Sequence, residues 1–207
     1  GGGMRDGRKV KMVLPGGISM GVLRGDIFPK SPDGKIDTAK DHDELDCRLD
    51  FDDVRKYGLL GLGTAAAVVV SEDTDARDVL LNLTRFYAHE SCGQCTQCRE
   101  GTAWMYKIAN RIRAGAGRSL DLDVLCEVTE NMGMMPGMSI CGLPDGAVFP
   151  IRTLVRKFRP EFERHIAAQK PSAAEEAIRK VNPAAYELPI LHGRAVLNEL
   201  GTMSHEH

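Results

Sequence analysis

The chain changes its hydrophobic rhythm near residue 75. Before that point the apolar positions fall in short runs broken by glycine and proline. Residues 8–14, "RKVKMVL", alternate basic and apolar positions, which predicts a strand with one wet face. Pro15-Gly16-Gly17 then forces a turn. Residues 24–46 are polar and carry Pro29, Pro32 and Gly34, which predicts a long surface loop. Residues 51–58, "FDDVRKYG", predict a short helix closed by glycine. The apolar run 62–70 predicts a strand, with Val68, Val69 and Val70 buried. A small sheet with one short crossing helix makes a compact α+β unit.

From Asp75 the period is helical. Ala76, Val79, Leu80, Leu83, Phe86 and Tyr87 recur at three- and four-residue steps and form an apolar stripe, with Thr74 or Asp75 as the cap. A second helix is predicted over 102–114, ended by Gly115 and Gly117. Ser119-Leu120-Asp121 opens a third, with Leu122, Leu125, Cys126 and Val128 on its inner side. A fourth starts near Asp145 and carries Val148, Ile151, Leu154, Val155, Phe158 and Phe162. Pro160 lies inside that stretch and should kink or split it. Four helices with short connections predict a bundle. Beyond Ile166 only residues 172–181 are patterned as a helix. The remainder reads as an extension, partly disordered or lying on a partner.

Composition narrows the class. With 43% hydrophobic and 27% charged residues the chain is ordinary globular material. A net charge of −2 argues against a nucleic-acid binder, which is usually basic. The longest apolar run, residues 59–70, is shorter than the roughly 20 residues a membrane span needs. The opening "GGGMRDGRKVK" has no apolar signal region. It reads as the start of a fragment, or of a product whose upstream part is missing. The expected setting is soluble and cytosolic, where clustered cysteines bind metal more often than they pair as disulfides.

Three of the six cysteines fall in "HESCGQCTQCREG". On an ideal helix Cys92, Cys95 and Cys98 would string out along a stripe about 9 Å long, whereas ligands of one centre must converge. Gly93 lets the backbone leave the helix and wrap. A [4Fe–4S] cluster takes four thiolates at this kind of spacing. The fourth is Cys126 or Cys141. Cys126 reads as a core filler on a helix. Cys141 sits in "GMSICGLPDG", a turn-rich loop that can aim a thiol, and is the expected fourth ligand. A structural zinc ion is the rival reading, although zinc sites usually use two separate cysteine pairs. Unligated thiols are the third reading. Arg99 beside Cys98 either raises the cluster's potential or pairs with a surface carboxylate. His89 is expected to be structural and Cys47 a bystander. Trp104 is expected to pack in the bundle. Arg152, Arg156, Lys157, Arg159 and Arg164 are expected to form a solvated face.

Residues 85–102, "RFYAHESCGQCTQCREGT", closely resemble the cluster-binding segment of the flavoprotein subunit of NADH–quinone oxidoreductase (respiratory complex I). Related subunits of NAD-linked formate dehydrogenases and NAD-reducing hydrogenases share it. Residues 139–166 resemble that family's fourth-ligand loop and last helix, and residues 7–19 the start of its β-grasp domain. The resemblance implies an α+β chain in three parts. These are a β-grasp-like domain over 1–73, a four-helix bundle carrying a [4Fe–4S] cluster over 74–166, and an extension over 167–207. It implies Cys92, Cys95, Cys98 and Cys141 as ligands and electron relay as the role. No catalytic proton donor, nucleophile or hydride acceptor is then expected from this chain. The glycine-rich loop that binds FMN and NADH in the family is not found in the sequence. Both are therefore expected in an upstream domain. Implied partners are other iron–sulfur subunits of a respiratory or NAD-linked redox complex, with the chain peripheral on the inner face of the cell membrane.

Overall fold

The structure, a computed structural model, describes residues 4–25, 44–133 and 138–169. The helix expected over 172–181 and most of the polar loop lie outside them. All elements below belong to the compact unit Gly1–Ala168.

Strand β1 (Val10–Pro15) is central in a three-stranded sheet of order β2-β1-β3. Both neighbours, β2 (Leu23–Arg24) and β3 (Ala67–Ser71), run antiparallel to it. The register pairs Val13 with Leu23 on one side and with Val69 on the other. The turn after β1 depends on Gly16. Its φ is +81°, and a Cβ there would lie 2.1 Å from the Leu62 carbonyl oxygen. The short β2 was not signalled by the sequence, because two residues are too few to show a period. The predicted 51–58 helix is a 3-10 turn over Asp53–Tyr57, ended by Gly58 at φ +83°.

Val68 and Val69 are not buried as expected: they are 43% and 47% exposed. They lie on β3, the last strand of the sheet. An apolar run identifies a strand without saying which layer covers it.

Five described α-helices follow the sheet: α1 (Ala76–Glu90), α2 (Thr96–Arg113), α3 (Ser119–Met132), α4 (Leu143–Lys157) and α5 (Arg159–Ala167). The Asp75 side chain caps α1 by accepting from the Arg77 N–H at 2.8 Å. The fourth predicted helix is two helices, parted at Phe158 (φ −108°, ψ 13°). Pro160 has no N–H for the preceding turn, so it ends α4 and sits comfortably in the first turn of α5. The predicted stripe holds across that break: Val148, Ile151, Leu154, Val155, Phe158 and Phe162 are all fully buried. They pack with Leu80, Leu83, Tyr87, Met105, Ile112, Leu122 and Leu125 in one core, which also takes in Met12 and Leu14 of β1. Each large side chain so buried contributes roughly 1.5–3 kcal/mol. Leu23, Cys47, Val54 and Leu59 form a second, small cluster.

Two buried ion pairs fasten the amino-terminal segment to the helices. Lys11 Nζ meets Glu161 Oε1 at 2.6 Å, and Lys157 Nζ meets Glu44 Oε2 at 2.7 Å. Lys157 and Glu44 side chains are each only 2% exposed. Lys157 therefore does not belong to a solvated face, and the polar loop ends in a buried carboxylate. Neither fact is visible in sequence, because the partners are far apart in the chain. Trp104 is 54% exposed rather than packed in the core. No described helix is long and apolar enough to cross a membrane.

Candidate metal centre

Five residues, 91–95, connect α1 to α2. Ser91 closes α1, its N–H donating to the Tyr87 carbonyl at 3.1 Å. Gly93 then takes φ +78° and turns the chain back. The Arg99 guanidinium clamps this turn from α2, donating to the Gly93 carbonyl at 2.7 Å, and also reaches Glu100 at 3.0 Å. Cys95 is the N-cap of α2, so Cys98 lies in the helix's first turn and is buried. The helix begins at Thr96, six residues before the predicted start, since Gln97, Arg99 and Glu100 are good helix formers and nothing breaks the chain there. Gly101 stays inside the helix, where a Cβ would meet Met132 Sδ at 2.6 Å.

Cys141 immediately precedes Gly142, the N-cap of α4. Its loop is laced onto the start of α2. The Ile140 N–H donates to Cys95 Sγ at 3.4 Å, and Gln97 Nε2 donates to the Met138 carbonyl. Ser139 Oγ donates to the Cys141 carbonyl at 2.9 Å. Cys92, Cys95, Cys98 and Cys141 thereby line a single cavity of about 180 Å³, with Glu90, Ser91, Gln94, Leu143 and Pro144. Cys98 is buried, Cys95 half-buried, and Cys92 and Cys141 are exposed. The Ser91 hydroxyl lies 3.3 Å from Cys98 Sγ.

The charges explain what such a cavity needs. Burial pushes the Cys98 thiol up in pKa, the Ser91 hydrogen bond opposes it, and Cys141, Cys95 and Cys92 push it further up. Several thiolates side by side demand a cationic group between them. The amino ends of α2 and α4 also favour negative charge at these sulfurs.

The spacing of the sulfurs tests which group fits. A zinc ion holds thiolates about 2.3 Å away in a tetrahedron, which puts them about 3.8 Å apart. Among the described residues no cysteine belongs to a set of three ligand atoms within 4.8 Å of one another. That spacing is wider than a single tetrahedral zinc ion takes, and four thiols around one cavity are a donor set of the kind that holds a polynuclear centre. The only described set that close is Asp75, Glu161 and His165. Its carboxylates are already occupied, Asp75 by Arg77 and Glu161 by Lys11 and the Ala76 N–H.

The other two cysteines are elsewhere. Cys126 is half-buried against the main core, and burial raises its thiol pKa. Cys47 sits in the small cluster, also raised by burial. His89 is exposed, with Nδ1 3.0 Å from Glu90 Oε1, and does not line the cavity. Sequence reasoning missed Ser91 and Ile140. A serine before a cysteine motif was a weak signal, and a backbone N–H leaves none.

Residues 78–165 match the family model described as the NADH-ubiquinone oxidoreductase-F iron-sulfur binding region. The chain is 40% identical over 157 residues to the mitochondrial NADH dehydrogenase [ubiquinone] flavoprotein 1 of Dictyostelium discoideum, covering 76% of this chain and 29% of that protein. It is 39% identical over 166 residues to an F-type subunit of NADH-quinone oxidoreductase from Rhizobium meliloti, covering 80% and 34% respectively. The chain thus spans about a third of the length of these curated relatives. Among solved structures it resembles an NAD+-reducing [NiFe]-hydrogenase in the H2-reduced state. That match has a TM-score of 0.58 and 26% identity, over 86% of this chain and 27% of that one.

Proposed function

We propose, taking residues 78–165 as an iron–sulfur binding region of the NADH-ubiquinone oxidoreductase F kind, that this chain is the electron-relay part of an NADH dehydrogenase flavoprotein subunit. In this reading Cys92, Cys95, Cys98 and Cys141 hold a [4Fe–4S] cluster. The observation that carries it is the meeting of four thiols, from two segments separated by α2 and α3, around one cavity.

A cluster held by these four thiolates would supply one-electron transfer between a reduced flavin and a further redox centre. The chain's own residues make the site. The four thiols lose their protons on loading, which the amino ends of α2 and α4 favour. The Ile140 N–H stabilises charge on Cys95, and Arg99 holds the 91–95 loop in its wrapped form. Leu143 and Pro144 exclude water from one wall. The exposed Cys92 and Cys141 keep the site near the surface, where a redox partner can approach.

Residues 1–73 then serve as the β-grasp-like part, 74–166 as the helical bundle, and 167–207 as an extension. FMN and NADH sites belong to the longer relatives. The partners are other iron–sulfur subunits of a respiratory complex, peripheral on the inner membrane face. A second reading, a subunit of an NAD-reducing hydrogenase, is favoured by the structural likeness alone.

Anaerobic purification should yield a brown protein with about four irons and about four acid-labile sulfides per chain. Cys141→Ser should lose or convert the cluster, and Cys126→Ser should keep it. A colourless protein with one zinc per chain overturns the proposal.

A further inference from the structure

The four cavity sulfurs do not share one environment. Cys92 and Cys141 are exposed, so water can donate to them. Cys95 receives the Ile140 N–H at 3.4 Å. Cys98 is the buried one of the four, only 6% exposed. Its hydrogen-bond partner is the Ser91 hydroxyl, at 3.3 Å. A thiol could donate to that hydroxyl, but a ligating thiolate has no proton to give. With the sulfur bound to metal, the proton on the bond must come from serine.

Ser91 is also held where it can do this. Its N–H is fixed to the Tyr87 carbonyl at 3.1 Å. The Tyr87 ring is buried, and its hydroxyl lies 2.7 Å from Ser19 Oγ. Ser19 in turn packs against Gly146 of α4, where a Cβ would stand 3.2 Å from its oxygen. Residues from the amino-terminal turn, α1 and α4 thus hold the backbone that carries the donor.

We propose that Ser91 is a positioning residue for the metal centre: its hydroxyl donates to the Cys98 sulfur, orients it, and raises the electron affinity of the bound cluster. The inference rests on the reading of the four cysteines as cluster ligands. Reduction adds negative charge to the cluster and its thiolates. A donor aimed at one sulfur therefore stabilises the reduced form more than the oxidised form. Among the four sulfurs this matters most at Cys98, the most buried of them and so the one with least access to water as a substitute donor.

The test compares wild type, Ser91→Ala and Ser91→Thr, each purified anaerobically with its cluster. Iron and sulfide content is measured first, then the midpoint potential by titration of the reduced-state paramagnetic signal. Ser91→Ala should load iron and titrate at a lower potential, with reduction several-fold less favourable (tenfold is about 59 mV for one electron). Ser91→Thr keeps the hydroxyl and should stay near wild type. If Ser91→Ala fails to load while Ser91→Thr loads, the orienting half of the proposal is supported. Equal loading and equal potential in wild type and Ser91→Ala overturn the proposal, as does Ser91→Thr behaving like Ser91→Ala. A wild-type protein without iron sinks the cluster reading itself, a separate and recognisable result.

Discussion

Replacing Glu44 with glutamine should damage the fold far more than its place in a polar loop suggests. The side chain accepts from Lys157 Nζ at 2.7 Å, the Arg24 N–H at 2.7 Å and Arg24 Nε at 3.0 Å. At 2.7 Å, with an effective dielectric of about 20, the attraction between Lys157 and Glu44 is about 6 kcal/mol. Desolvation of both groups offsets much of that while the pair is intact. Glutamine preserves the shape but removes the counter-charge, leaving an ammonium that is already out of water. Loss of one partner of a buried pair costs about 3–5 kcal/mol. Burial already pushes the Lys157 pKa down, against the pull of Glu44. Without Glu44 it should fall further. The folded protein then binds fewer protons than the unfolded chain, so the variant should regain stability as pH rises towards the ordinary lysine value near 10.4. Denaturant unfolding followed by circular dichroism, at several pH values between about 7 and 10, reads both effects. The double variant Glu44→Gln/Lys157→Met, which removes both charges, should recover most of the loss. A loss below about 1 kcal/mol for Glu44→Gln at pH 7, or a double variant no better than the single, would refute the argument.

Other perturbations probe separate features. Asp121 is fully buried; burial alone would raise its pKa, but hydrogen bonds from Arg111 and Arg118 outweigh it and hold the carboxyl low. Its contribution to stability is therefore present above about pH 3.9 and lost as pH falls through the folded value, and acid unfolding curves of Asp121→Asn should lack that component. Gly16→Ala combines a left-handed φ with a 2.1 Å approach to backbone, so it should cost more than about 2 kcal/mol in a thermal melt. Gly101→Ala puts a Cβ 2.6 Å from Sδ and 3.1 Å from Cγ of the buried Met132, so overpacking should cost about 1–3 kcal/mol in a thermal melt, partly offset by better helix propensity. On the proposed ligand set, a bound centre would tie the α1–α2 loop to the start of α4, so stripping it with a chelator should lower the melting temperature; an unchanged melt would refute that tie.

What was legible in the sequence was local. The run from Val148 to Phe162 declared its face, and so did the α1 stripe except at Phe86, which is 45% exposed, because helical period depends on neighbours in the chain. The cysteine triplet and Cys141 were singled out by spacing and by turn residues, and the structure brings all four to one cavity. The start of α2 was misplaced, since a cluster motif suggested loop where Cys95 actually caps the helix. Trp104 and Val69 were misplaced because residue type does not say which layer covers a surface. Lys157 and Glu44 looked like ordinary surface charges, since nothing in either neighbourhood names the other. Sequence patterns report a residue's immediate surroundings; pairings across the fold had to be seen.

The separation of Cys141 from the triplet has a consequence for biosynthesis. During translation the first three thiols leave the ribosome well before the fourth, with all of α3 still to be made. On the proposed ligand set, until α4 docks they form an incomplete, oxidisable site that can catch stray ions or cross-link to a neighbour. On that reading, metal insertion should mark the end of folding rather than its beginning.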